Sequence, residues 1–189
     1  MKPTRFHLLF MFIIAVSFQY CRPNPKAESG TDTKIPDSAT LGNKIQGTMF
    51  IEQAARGAML EIELGKLANE KADNPKVKDF GKLMAEEQGQ ILTSLNELSM
   101  IKGLTFPMSL SQHDKTQLEG MRKMETKYFE KLYMKMTMQN SRKYIELYQG
   151  TSRSPDAQIS DFGKKYLPIL ERQLQKAFEA QETIRSHPK

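Results

Sequence analysis

The chain is short of three features on which common protein functions depend. It has one cysteine, three histidines and no apolar run of the roughly 20 residues that a membrane-spanning helix needs. It also lacks a Cys-x-x-Cys motif, a glycine-rich phosphate loop and a serine with histidine and aspartate partners for nucleophilic catalysis. No segment resembles a β-strand. These absences favour an all-helical protein that is not an enzyme.

The one cysteine, Cys21, follows a segment typical of a lipoprotein signal peptide. Lys2 and Arg5 give a basic start, and the eleven apolar-rich residues 8–18 are too few to span a bilayer but suit a signal-peptide core. Residues 18–21, Phe-Gln-Tyr-Cys, occupy the place of a lipobox. We predict that residues 1–21 are a signal peptide and that Cys21 becomes the lipidated N-terminus. The alternatives are a cleaved secretory signal that leaves a soluble protein, or a retained N-terminal anchor.

This prediction places the protein in the cell envelope, lipid-anchored at the outer membrane or its periplasmic face. Removing residues 1–21 takes away two positive charges and no acids, so the net charge falls from +6 to +4. The remaining basic residues alternate with acids, as on solvated helix faces, and predict no nucleic-acid binding. Residues 22–47 are rich in Pro, Ser, Thr, Gly and charge, and predict a disordered tether before a domain at 48–186.

Four amphipathic helical stretches predict a four-helix bundle in that domain. The first covers about 48–72, and the second begins at the Asn74–Pro75 cap and stops at Gly103. The third starts at Ser111, and we expect a break in it near Gly120. The fourth follows the cap-plus-proline sequence 154–156. Five glycines inside these helices are interpreted as points of close helix approach: Gly57, Gly65, Gly81, Gly89 and Gly163.

The apolar seams of three helices are interrupted by polar residues at a comparable depth. These residues are Glu87 and Gln88 in the second helix, Asn140 and Ser141 in the third, and Gln173 in the fourth. Buried polar groups need hydrogen-bond partners or a ligand, and in a four-helix bundle a metal held by Glu and Glu-x-x-His is the first ligand to consider.

The histidines needed for such a site are missing. They stand only at positions 7, 113 and 187, and no Glu-x-x-His occurs. A carboxylate-only site would draw on Glu61, Glu63, Glu87 and Glu171 and would favour hard ions. We therefore expect no metal and no cofactor, and interpret Gln88, Asn140, Ser141 and Gln173 as a structural polar layer.

Several segments together resemble the domain of unknown function 4142 family, which comprises ferritin-like bundles often described as predicted outer-membrane proteins. They are Phe-Ile-Glu-Gln-Ala-Ala-Arg-Gly at 50–57, Glu-Ile-Glu-Leu-Gly-Lys-Leu-Ala at 61–68, Asn-Pro-Lys-Val-Lys-Asp-Phe at 74–80 and Tyr-Leu-Pro-Ile-Leu at 166–170. The resemblance implies a ferritin-like fold and an envelope location. Members typically carry Asp-His pairs in the second and third helices and a histidine in the fourth. Here Glu87–Gln88, Asn140–Ser141 and Gln173 stand in those places.

Two further patterns lie in the third helical stretch. Met134, Met136 and Met138 offer soft thioether ligands for Cu(I), but residues 134 and 138 share a face that 136 does not, so we interpret them as core. Tyrosines at 128, 133, 144 and 148 are expected mostly to pack in the core with their hydroxyls at its edge.

The sequence thus leaves two functional classes. The first is a non-enzymatic binding or structural module of the envelope, whose contact surface for an unidentified envelope protein is a helix face or the loop 104–110, with Leu104, Phe106 and Met108 exposed. The second is a metal-binding or oxidoreductase-like bundle that uses the carboxylates for Fe or Mn, or the methionines for Cu. The first is our interpretation.

Overall fold

The domain is entirely helical, as predicted. The computed structural model describes residues 38–186, so the predicted signal peptide at 1–21 with Cys21, and the part of the expected tether at 22–37, lie outside it. Within this range there are five helices: α1 Ser38–Lys71, α2 Pro75–Lys102, α3 Gln112–Arg122, α4 Thr126–Thr151 and α5 Ala157–Ser186. None of these helices is apolar over enough of its length to cross a membrane.

The predicted helix ends are formed by local hydrogen bonds. Asn74 caps α2, where its side chain accepts a hydrogen bond from the N–H of Lys76, and Pro75 follows at the first helical position. Gly103 ends α2 in the left-handed conformation, with φ of 59°. Ser111 caps α3 by accepting a hydrogen bond from the Asp114 N–H at 3.1 Å. These residues fix where the chain turns.

Two helix starts differ from the prediction. Helix α1 begins at Ser38 and not near residue 48, so the last ten residues of the segment 22–47 are helical. Once α1 is packed, each added residue costs little and gains one backbone hydrogen bond. Helix α5 is capped by Asp156, which accepts from the Ile159 N–H at 3.2 Å and also pairs with Lys102. Ser154 instead accepts a hydrogen bond from the Asp156 N–H.

The helices form two antiparallel hairpins, α1–α2 and α4–α5. Helix α1 lies antiparallel to α4, because Phe50 contacts Tyr148 while the far end of α1, at Asp73, meets Glu130. Helix α2 lies antiparallel to α5 in the same way. It follows that α2 and α4 run in the same direction, so the chain between them must travel the length of the bundle.

That crossover connection runs along α1. Leu104 lies against Gly47, the Ser109 carbonyl accepts a hydrogen bond from Arg56 at 3.5 Å, and Arg122 forms an ion pair with Glu70 at 3.5 Å. Helix α3 lies within this connection, and the expected break near Gly120 occurs at residues 123–125. Two hairpins joined by one long crossover are the ferritin-like arrangement of a four-helix bundle.

The loop 104–110 is less exposed than predicted. Leu104 and Phe106 pack against the hydrophobic core, because the crossover must cover the end of the α1–α2 pair. Met108 is 89 % exposed. The prediction of three exposed apolar side chains is therefore wrong for two of them.

The apolar core consists of two clusters, one toward each end of the bundle. One contains Leu64, Phe80, Met84, Phe129 and Ala177 among others. The other contains Ile51, Ile91, Leu95, Phe162 and Leu170 among others. Each long helix therefore contributes side chains to both clusters. The polar residues lie between the two clusters.

Close backbone contact between α1 and α2 depends on two glycines. A Cβ atom at Gly65 would lie 2.5 Å from the carbonyl oxygen of Gly81, and one at Gly81 would lie 2.7 Å from that of Gly65. Gly57 and Gly163 also face neighbouring groups at distances too short for a Cβ. At Gly89 there is nothing within 4 Å of a Cβ, so the close-approach interpretation is wrong there.

Candidate functional site

The polar layer forms around two buried groups on opposite hairpins. Glu61 on α1 is 1 % exposed, and Gln173 on α5 is also 1 % exposed. Gln88 and Ser141 are also buried between the two apolar clusters, and Asn140 is half-buried. The structure places Glu61 with Asn140 and Gln88 with Gln173 in two hydrogen-bonded sets, one between α1 and α4 and one between α2 and α5.

The first set is centred on the Glu61 carboxyl group. Asn140 donates to Glu61 Oε1 at 2.8 Å, and the Thr137 hydroxyl donates to Oε2 over a short distance. Thr137 and Asn140 share a face of α4 because they are three residues apart. Both carboxyl oxygens of Glu61 therefore have a partner from α4.

Burial has a large effect on Glu61. Loss of solvent disfavours the charged form and raises the pKa of Glu61 to about 7, although the hydrogen bonds from Thr137 and Asn140 act in the opposite direction. The carboxyl group therefore changes its charge near neutral pH, inside the bundle. This titration is the main electrostatic property of the layer.

The charge of Glu61 interacts with two neighbouring tyrosines. Burial, and after it the Glu61 carboxylate, raises the pKa of Tyr133 and of Tyr144 above the ordinary tyrosine range. The Tyr144 ring occupies the space in which Gly57 would carry a Cβ. Glycine at position 57 thus gives the ring of Tyr144 its place beside α1.

Tyr133 has an unusual environment. Its side chain is fully buried, its ring stacks on Phe129 with centroids 5.9 Å apart, and its hydroxyl has no hydrogen-bond partner among residues 38–186. The expectation that core tyrosines keep their hydroxyls at the core's edge is wrong for this residue. An unpartnered buried hydroxyl costs about 1–3 kcal/mol.

We expect Tyr133→Phe to raise the free energy of unfolding by about 1 kcal/mol, since it removes the unpartnered hydroxyl and keeps the ring. The measurement is urea unfolding followed by circular dichroism. Tyr166→Phe is the matched control, because the Tyr166 hydroxyl donates to Ser94 at 2.8 Å. The control should lose about 1 kcal/mol, and equal losses in both variants would contradict this account.

The second set is a chain of hydrogen bonds between α2 and α5. Gln88 donates to Gln173 Oε1 at 2.9 Å, and Gln173 in turn donates to Glu87 Oε2 at 2.9 Å. Arg172 then pairs with Glu87 Oε1 at 2.6 Å, where the chain reaches solvent. The Gln173 amide is thus hydrogen-bonded through both its oxygen and its nitrogen, and both Glu87 oxygens accept hydrogen bonds.

The structure brings together only some of the predicted residues. Gln88 meets Gln173, and Asn140 meets Glu61. Glu63 is on the surface, where it pairs with Lys66 at 2.7 Å, and Glu171 is exposed. Sequence reasoning missed Thr137, although it lies three residues before Asn140 on the same helix face.

The donor set does not fit a metal ion. Within residues 38–186, no three His, Cys, Asp or Glu side chains are grouped closely enough to hold one. The carboxylates of Glu61 and Glu87 already accept hydrogen bonds on both oxygens. Within the described part of the chain, neither carboxylate is joined by two further His, Cys, Asp or Glu side chains that would complete a coordination shell.

The methionine run is divided between core and periphery. Met134 and Met138 are buried in the apolar cluster, while Met136 is half-buried and its sulfur accepts a hydrogen bond from Gln117 at 3.6 Å. The three thioethers therefore occupy different surroundings, and the structure places two of them as core residues.

A comparison with protein families gives one result. The family described as "Domain of unknown function (DUF4142)" has a model that matches residues 32–180. The chain belongs to the DUF4142 family. That match covers almost all of the bundle and agrees with the resemblance seen in the sequence segments. Searches of curated proteins and of solved structures give no significant match.

Proposed function

We propose that this DUF4142 protein is a lipid-anchored envelope lipoprotein whose ferritin-like bundle is a non-enzymatic binding or structural module. The family match and the helical bundle support the domain assignment. The signal architecture before Cys21 supports the anchor. The partner in this proposal is an envelope protein, reached from the membrane surface.

One observation supports the non-enzymatic part of this proposal. The carboxylate oxygens of the polar layer accept hydrogen bonds from neighbouring helices. Glu61 accepts from Thr137 and Asn140, and Glu87 accepts from Arg172 and Gln173. Among residues 38–186, neither carboxylate belongs to a cluster of three or more His, Cys, Asp or Glu side chains that could hold a metal. In this layer the carboxylate oxygens hold helices together.

The anchor is tested by mass spectrometry of the N-terminal peptide from purified membranes. We expect cleavage before Cys21 and a lipid-modified cysteine. A Cys21→Ala variant should remain unprocessed or leave the membrane fraction. An unmodified Cys21 in membrane-derived protein would exclude the anchor.

The bundle is tested by elemental analysis of the isolated protein, followed by titration with Fe(II), Mn(II) and Cu(I). We expect less than stoichiometric metal and no change in the circular dichroism spectrum with a chelator. Binding of about one ion per chain that is lost in Glu61→Ala or Glu87→Ala, but kept in Glu63→Ala, would establish the metal-binding alternative. Glu63 is the suitable control because it lies on α1 outside the layer.

A further inference from the structure

The first three turns of α1 carry an apolar stripe on the side that faces away from the bundle. Leu41, Ile45 and Met49 are 50 %, 52 % and 54 % exposed. Their spacing of four places them on one face of the helix. Gly47 lies on the opposite face, buried against Leu104 and Ile159. We call Leu41, Ile45 and Met49 the apolar stripe.

The crossover loop carries a further exposed apolar side chain on the same side of the molecule. Met108 is 89 % exposed, and its neighbour Ser109 accepts a hydrogen bond from Arg56 of α1. Arg56 lies seven residues after Met49 and therefore on the same helix face. Met108 thus belongs to the side of the molecule that carries the apolar stripe.

The segment of α1 that carries the apolar stripe contains a single charged residue. Residues 38–51 contain Lys44 and no acidic residue, and Lys44 is exposed. The first acid of α1 is Glu52, which pairs with Arg56 at 2.9 Å. An apolar helix face that is flanked by a lysine and has no acid before Glu52 suits contact with an anionic lipid surface.

The position of the apolar stripe near the start of the domain favours the anchoring membrane as its occupant. Ser38 follows Cys21 by seventeen residues, so α1 begins within about 60 Å of the anchor even if the intervening chain is fully extended. We propose that the apolar stripe rests on the phospholipid leaflet that holds the Cys21 anchor, an inference that depends on the lipidation proposed above.

The anchor is also needed for this contact to be stable. Three half-exposed side chains give weak membrane affinity on their own. A covalent attachment at Cys21 makes the contact intramolecular and raises the effective concentration of the leaflet into the millimolar range, about as a short linker does. The bundle then lies with α1 against the membrane.

The chain has no tryptophan and one cysteine, which permits a specific test. Ile45→Trp places a single reporter in the apolar stripe, and Gln175→Trp places one on the exposed surface of α5 as the control. The full chain is anchored to phosphatidylethanolamine–phosphatidylglycerol vesicles, through its native lipid or through a maleimide lipid on the Cys21 thiol. Quenching by brominated lipid acyl chains is then measured.

We expect at least about two-fold stronger quenching at position 45 than at position 175, with a blue-shifted emission, because interfacial helices enter the acyl boundary. Leu41→Ser with Met49→Ser should reduce the quenching at position 45, with helicity unchanged. Equal quenching at both positions would overturn the proposal. A signal that depends on protein concentration and not on lipid would also overturn it, in favour of a second copy as occupant.

The two anchoring routes separate this inference from the proposed lipidation. If Cys21 is unmodified in cells but the maleimide-anchored chain shows the quenching, the lipoprotein proposal fails and the apolar stripe still binds membranes. If Cys21 is lipidated and position 45 is not quenched, the anchor stands and the membrane contact is excluded.

Discussion

At pH 8, Glu61→Gln is expected to be more stable than the wild-type protein by up to about 3 kcal/mol, because one pKa unit corresponds to about 1.4 kcal/mol. This gain follows from the rise of the Glu61 pKa from 4.5 to about 7 on burial. Glutamine has the shape of the protonated acid and can still accept from Asn140. It removes the cost of a buried negative charge.

The direction of the pH dependence follows from the same shift. The folded protein binds the Glu61 proton more tightly than the unfolded chain, so this stabilisation is complete below about pH 4.5 and is lost as the pH rises toward about 7. Wild type should therefore lose stability between pH 5 and pH 7.5, and Glu61→Gln should lose less. Urea unfolding at pH 5, 6, 7 and 8 measures both.

Glu63→Gln is the control for this experiment. Glu63 lies two residues away on α1, is 43 % exposed and pairs with Lys66. A surface ion pair contributes at most about 1 kcal/mol, and its loss should not alter the pH profile between 5 and 8. If Glu61→Gln and wild type show the same pH profile, Glu61 is not the buried titrating group.

A second large effect is expected for Gly65→Ala, with a loss of about 3 kcal/mol in the free energy of unfolding. The added Cβ would lie 2.5 Å from the Gly81 carbonyl oxygen and 3.0 Å from the Ala85 nitrogen. Both are backbone atoms of α2, so the helices must separate to make room. Alanine otherwise favours a helix over glycine, which makes the sign of the result informative.

For Gly89→Ala, in the same pair of helices, we expect the free energy of unfolding to change in the opposite direction. Nothing lies within 4 Å of a Cβ at that position, so the variant should gain about 0.5–1 kcal/mol from the better helix propensity of alanine. Chemical unfolding of both variants measures the difference. A gain in both would show that α1 and α2 are not in close contact at Gly65.

The all-helical fold could be predicted from the sequence because helix caps and apolar periodicity are local patterns. Helix caps at Asn74 and Ser111, and the stop at Gly103, depend on residues within one turn. The apolar seams and their interruptions at Gln88 and Gln173 follow from the helical period. These features require no knowledge of which helices are neighbours.

The start of α1 and the cap of α5 were not accessible in this way. Residues 38–47 have the composition of a linker, and their helix continues from a segment that is packed further along. Ser154 and Asp156 are both good capping residues, and Asp156 takes the role beside Lys102 from the end of another helix. In both cases, contacts between residues that are distant in the sequence determine where the helix begins.

The hydrogen-bond partners within the polar layer could not be predicted from the sequence either. Interruptions of the seams identify Asn140 and Gln173 as buried polar residues, but the partner of each depends on the order and direction of the helices. Glu61 was considered as a metal ligand and is instead hydrogen-bonded by Thr137 and Asn140. Thr137 lies within the methionine run, which hid it among apolar residues.

The two hydrogen-bonded sets have a consequence for how the hairpins align. One set joins Glu61 to Asn140 and the other joins Gln88 to Gln173, so each connects the α1–α2 hairpin to the α4–α5 hairpin. A slide of one hairpin along the other by a helical turn would shift their contacts by about 5.4 Å. Such a slide would leave both sets unpaired among apolar side chains, where unpaired polar groups cost free energy. The polar layer therefore selects a single axial register for the two hairpins.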